Sequence, residues 1–132
     1  MRLNRYLDHA VLQPELTDRE AKKAIEAGVA CAVKSVCVRP RDIELALAIC
    51  AGTDTLVGCV LDFLHGMASA AAKGALARIY AEAGVAEIDM VMDYAAARSG
   101  RWEIVEMGVA RVLQAAKPAG VAVKVILETC ML

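Results

Sequence analysis

Asp8, Cys37, Asp89, Lys124 and Glu128 are the residues of this sequence whose type and spacing could do chemistry. Each lies in or beside a short apolar, β-branched segment, where alternate residues face opposite sides. In Glu87–Met92, Glu87 and Asp89 oppose Ile88, Met90 and Met92. In Val121–Leu127, Lys124 shares a face with Ala122, Ile126 and, just beyond, Glu128, against Val121, Val123, Val125 and Leu127. Ser35 and Cys37 oppose Val36 and Val38, and Asp8 and Ala10 oppose Leu7, His9 and Val11. Brought together in a partly dry space, an aspartate, a lysine and a glutamate tune one another. Burial lowers a lysine's pKa and raises a carboxylate's, and their mutual attraction does the reverse. Such a cluster can move protons around a carbonyl substrate, or a deprotonated lysine can attack the carbonyl to form an imine. Plainer roles stand beside these. Asp89 or Lys124 is half of an internal ion pair, Cys37 is wall, and Glu128 orients Lys124 or caps the strand end. His9 lies on the opposite, helix-facing side and reads as a satisfied core histidine, while His65 falls in a loop.

The elements that must position these residues recur as apolar strand, loop, amphipathic helix and glycine. Thr17-Asp18-Arg19-Glu20 is a capping box; it opens a helix with Ala21, Ala24 and Ile25 on one face and Gly28 as its stop. Pro40 suits the first turn of a second helix, lined by Ile43, Leu47 and Cys50 and ended by Gly52. A third starts near Ser69, carries Leu76, Ile79, Tyr80 and Ala83 on one stripe, and stops at Gly84. A fourth starts at Ser99, with Val105, Val109, Val112 and Ala116 inward and Gly120 after it. Strands are expected at Leu7–Leu12, Ser35–Val38, Leu56–Leu61, Glu87–Met92 and Val121–Leu127, giving five strands and four helices. Alternation of this kind implies βαβ units and a parallel sheet.

Composition narrows the classes. The chain has 132 residues, 58% apolar and 23% charged, with a net charge of -1. That fits one domain over 1–132 and offers no electrostatic reason to bind nucleic acid or an anionic membrane. No segment reaches the ~18 apolar residues that would span a bilayer. The opening Met1-Arg2-Leu3-Asn4-Arg5 meets charge too soon for a secretory signal. The five cysteines show no CxxC pair and no histidines at ligand spacing, so reduced thiols, a cytoplasmic location and no metal are expected.

Two architectures are compatible with these elements. A strand buried between two helical layers reads as a continuous apolar run, yet several strands here have one ionisable face. A sheet closed on itself explains that, with helices outside and polar residues within. The other option is an open flavodoxin-like sheet whose charges pair at strand ends. It lacks a glycine-rich phosphate loop after its first strand, where Gln13-Pro14-Glu15 stands.

Four motifs resemble one family. Leu7-Asp8-His9 with Leu12 and Pro14, and Ser35-Val36-Cys37-Val38 with Pro40, resemble the first two strands of deoxyribose-phosphate aldolases. Glu87-Ile88-Asp89-Met90-Val91 followed by Ser99-Gly100 resembles their fourth strand and loop, and Lys124-Val125-Ile126-Leu127-Glu128-Thr129 their fifth strand. The resemblance implies a (β/α)8 barrel of TIM type, here incomplete. It implies reversible cleavage of 2-deoxyribose 5-phosphate to glyceraldehyde 3-phosphate and acetaldehyde through a lysine Schiff base, with no metal or cofactor. The implied partner is a small phosphorylated sugar, and a homo-oligomer is expected. Residue by residue, Asp89 matches the proton-relay aspartate and Asp8 the polar residue of the first strand. Lys124 matches a lumen lysine distinct from the imine-forming one. Cys37 matches a cysteine near the substrate channel, and Glu128 stands beside the pocket.

The departures shape a further expectation. The family's sixth-strand Lys-Thr-Ser-Thr-Gly, its seventh-strand lysine and its phosphate loops do not occur within these 132 residues. The third-strand Gly-Phe-Pro reads Asp62-Phe63-Leu64, the first-strand threonine reads Ala10, and the lysine before Pro14 reads Gln13. Little turnover is expected from this chain alone. The alternative is a non-catalytic, truncated or half-barrel module that self-associates through exposed strand edges.

Overall fold

The chain alternates strand and helix from β1 (Asp8–Val11) through α1 (Asp18–Ala30), β2 (Ser35–Val38), α2 (Ile43–Cys50) and β3 (Leu56–Leu61) to α3 (Ala70–Ala83). It continues through β4 (Glu87–Val91), α4 (Tyr94–Arg98), α5 (Trp102–Ala116) and β5 (Ala122–Ile126). These elements come from a computed structural model that describes residues 2–132; Met1 of the opening stretch lies outside the described residues.

The expected capping box forms. Thr17 Oγ1 accepts from the Glu20 amide and Glu20 Oε2 accepts from the Thr17 amide. Gly28 does not end α1, which runs on to Ala30. A Cβ at Gly28 would lie 2.7 Å from Val36 Cγ1 and 3.0 Å from His9 Cδ2. The glycine serves the close approach of helix to sheet, not the cap. The stripe of α3 is also displaced from expectation. Lys73, Ala77, Tyr80 and Ala81 are buried, while Ile79 is 58% exposed. Ser99 closes a short helix instead of opening a long one, its hydroxyl donating to the Ala95 carbonyl at 2.8 Å. Gly100 then turns at φ +71, and α5 begins at Trp102. The expected four helices are therefore five, α4 being the addition.

All five strands are parallel and lie in the order β1-β2-β3-β4-β5. A doubly wound sheet reverses its strand order at a switch point, and no reversal occurs here. With crossovers of one hand, a strictly sequential order winds every helix onto the same side. The buried core follows that geometry: Val11, Val36, Val38, Cys59, Leu61, Ile88 and Met90 pack with Ile25, Ala46, Ala77, Tyr80 and Val112 of the helices. His9 belongs to this layer, with Nε2 3.0 Å from the Ala24 carbonyl oxygen. The other face carries Asp8, Ser35, Cys37, Gly58, Glu87, Asp89 and Lys124. This is five strands of a (β/α)8 barrel wall, and not a flavodoxin-like sheet. No helix among the described residues is long and apolar enough to cross a membrane.

Candidate active site

Strand register assembles the cluster. Asp8 pairs with Ser35 across β1 and β2, and Asp89 pairs with Lys124 across β4 and β5. Glu87 sits one pleat below Asp89, on the same face. Between them, β3 presents Gly58, paired with both Cys37 and Glu87. Without a side chain there, residues of β2 and β4 meet across β3. Ser35 Oγ lies 3.1 Å from Glu87 Oε2, and Cys37 Sγ lies 3.5 Å from Asp89 Oδ2.

Lys124 is the hub. Its ammonium donates a hydrogen bond to Asp8 Oδ2. It lies 3.1 Å from both Glu87 Oε2 and Asp89 Oδ1, contacts that act as ion pairs. One cation thus gathers three carboxylates from two strands besides its own. Ser35, fully buried, donates to Asp8 Oδ1, and Lys34 Nζ stands 3.8 Å from Glu87 Oε1. The cluster is open on one side: the Lys124 and Asp8 side chains remain 41% and 40% exposed.

The electrostatics divide the groups. Burial raises the Asp89 carboxyl, and the Lys124 ammonium only partly offsets this, so Asp89 sits above the usual aspartate range. Burial also acts to raise Asp8, but hydrogen bonds from Lys124 and Ser35 outweigh it and hold Asp8 below that range. For Lys124, burial works to lower the ammonium, yet hydrogen bonding to Asp8, Glu87 and Asp89 pushes it well above the ordinary lysine value. Cys37, 5% exposed, is pushed far up by burial first and then by Asp89, so it stays a thiol. A carboxyl that keeps its proton more readily beside a permanently charged ammonium can pass a proton. A lysine held as its ammonium is a poor nucleophile.

Asp8, Cys37, Asp89 and Lys124, singled out from the sequence, come together. Glu128 does not join them. The chain turns left-handed there, at φ +54, and Glu128 Oε1 accepts from the Cys130 thiol at 2.9 Å, so it does not orient Lys124. Glu87 contacts the ammonium instead, and Ser35 reaches two of the carboxylates around it, Asp8 and Glu87. Glu87 was legible by its alternation with Asp89. Ser35 needed the register with Asp8 and the gap at Gly58. His65 lies at the β3–α3 loop with Nδ1 3.3 Å from the Tyr94 hydroxyl. Among the described residues, no group of three His, Cys, Asp or Glu side chains is arranged to hold a metal ion.

A strictly sequential parallel sheet, helices outside and a lysine–carboxylate cluster within, defines a TIM-type barrel wall with a charged inner face. Comparison with known proteins narrows that class. The chain is similar along its whole length to deoxyribose-phosphate aldolases. It is 36% identical over 132 residues to the deoxyribose-phosphate aldolase of Streptococcus sanguinis, covering 100% of this chain and 59% of that protein. Among solved structures, "QR15, an Aldolase" superposes with a TM-score of 0.89 at 26% identity, over 98% of this chain and 57% of that one. The tetrameric deoxyribose phosphate aldolase of Aeropyrum pernix superposes with a TM-score of 0.83 at 25% identity, over 98% of this chain and 54% of that one. The chain spans about three fifths of the length of the curated relatives it matches. No protein-family model matches it.

Proposed function

We propose that the inner face takes part in carbon–carbon lyase chemistry of the deoxyribose-phosphate aldolase type, as the proton-handling half of the site. In that reaction 2-deoxyribose 5-phosphate is cleaved to glyceraldehyde 3-phosphate and acetaldehyde. A lysine amine attacks the carbonyl, water leaves, and the resulting imine takes up the electron pair of the broken carbon–carbon bond. Asp89 is the group that gives and takes the proton. Lys124 and Asp8 fix its position and charge, and Cys37 walls the space beside it. The observation that carries this reading is the Asp89–Lys124 contact at 3.1 Å, with the aspartate raised by burial.

The same geometry argues that Lys124 is not the imine-forming group, because three carboxylates hold it charged. Borohydride reduction in the presence of acetaldehyde should therefore leave Lys124 unmodified in a peptide map. An ethyl group found on Lys124 would overturn the assignment and make it the nucleophile.

A second reading rests on a different observation. In the five-strand sheet, β1 and β5 each have a neighbour on one side only. Unpaired edge strands present a row of free donors and acceptors to other chains. On this reading the chain acts as a non-catalytic module that self-associates through those edges. Sedimentation velocity decides: mass rising with concentration supports it, and a monomer at all concentrations removes it.

A further inference from the structure

Lys73 is outside the inner-face cluster, yet it is among the most buried side chains, 2% exposed on α3. Burying an ammonium is costly unless its hydrogen bonds and its charge are met. Here both are. Lys73 Nζ donates to the Gly66 carbonyl at 2.8 Å and to the Val91 carbonyl at 2.9 Å, and lies 3.2 Å from Asp62 Oδ2. One amino group thus joins the start of the β3–α3 loop, its turn, and the end of β4.

The loop is built around that contact. Asp62 adopts φ +55, a conformation that glycine takes freely and aspartate tolerates at some cost. Its carboxylate accepts from the Ala68 amide at 2.8 Å, and its carbonyl accepts from the Gly66 amide at 2.9 Å. A Cβ at Gly66 would come within 2.0 Å of the Met92 carbonyl oxygen and 3.1 Å of Val91 Cγ1. The turn therefore rests directly on the end of β4. Val91 is one pleat above Asp89 on the same face. In a (β/α) barrel the loops at the C-terminal ends of the strands border the site.

We infer that Lys73 and Asp62 form a charged latch that holds the β3–α3 loop down on the end of β4 and so limits the access of water to Asp89. The latch depends on the reading of Asp89 as the titrating carboxyl only for its second readout. Two variants test it in the whole chain, Lys73→Met and Asp62→Asn. The second keeps the shape and removes the charge. In Lys73→Met, amide exchange over residues 63–69 should speed up by at least about tenfold, as expected for a loop that opens locally, with α1 and β2 unchanged. Asp62→Asn should give a smaller rise in the same segment. The Asp89 carboxyl, followed by carbon NMR, should titrate at a lower pH in both variants. Unchanged loop exchange overturns the latch, and so does a uniform rise across the chain, which would mark Lys73 as a general core group. An unmoved Asp89 midpoint overturns the link to the site. If Lys73→Met does not fold, Asp62→Asn carries the test alone. Loop exchange does not depend on aldol chemistry, so the borohydride experiment can fail without affecting this result.

Discussion

Replacing Lys124 with Met should destabilise the protein at neutral pH and lose most of that effect in acid. The ammonium is the counter-charge to Asp8, Glu87 and Asp89 at once. Without it, three carboxylates face one another across two strands. Removing one partner of a fully buried pair costs roughly 3–5 kcal/mol, and exposed pairs contribute about 0.2–1 kcal/mol. Lys124 is 41% exposed, so water screens part of the loss, and a cost of about 1–3 kcal/mol is expected. The pH dependence follows from the directions of the shifts. Asp8 is lowered in the folded protein, so its contribution is present above the unfolded value and lost as pH falls through the folded one. In Lys124→Met, Asp8 loses the ammonium that holds it down and Asp89 the one that partly offsets its burial, so acid relieves the variant while in the parent it removes the contribution of Asp8. Their denaturant midpoints should converge below about pH 5. A constant gap from acid to neutral pH would show that the carboxylates do not depend on Lys124.

The larger loss of stability is expected at Arg39. Its Nε lies 2.5 Å from Asp42 Oδ2, and the two residues are 8% and 3% exposed. Its Nη1 donates to the carbonyls of Gln13, Pro14 and Leu16 at 3.0, 3.2 and 3.1 Å. The guanidinium therefore pins the β1–α1 loop to the turn that precedes α2. Arg39→Met leaves the buried Asp42 carboxylate with only the exposed Arg41, 3.9 Å away, and takes the Arg39 donor from three carbonyls, a loss of about 3–5 kcal/mol. Most of that is the cost of the stranded charge. Arg39→Met combined with Asp42→Leu should therefore lose less than Arg39→Met alone. A double variant that loses as much as the two singles added together would mean the pair is not coupled.

The strands and the inner face were legible because alternation is a local property. Glu87 and Asp89 against Ile88 and Met90 assign the faces of β4 without reference to any other strand. The order of strands was not local, and only the sheet itself separates a barrel wall from an open sheet. Two misreadings and one omission share a cause. Gly28 looked like a helix stop, but its role is set by Val36 and His9, which approach from other elements. Lys73 was not singled out, and its burial depends on the carbonyls of Gly66 and Val91, which a helical pattern does not contain. Glu128 shared the parity of Lys124, but parity ends where the strand ends, and the backbone turns left-handed there. Ser35 and Arg39 carried no signal of their own. A serine in a valine-rich strand acquires its role from partners more than twenty residues away, and an arginine before a proline from Asp42 together with three carbonyls more than twenty residues away.

The account rests on Lys124 being a caged cation and not a free amine. Its titration, followed by side-chain NMR at the Cε–Nζ position, tests that most directly. A folded-state value raised above the ordinary lysine range contributes stability that is complete below the unfolded value and is lost as pH rises through the folded one. Lys124 should therefore stay protonated beyond the ordinary lysine value of about 10.4, with global unfolding promoted only above that. A Lys124 that loses its proton at or below the ordinary lysine value would contradict the cage.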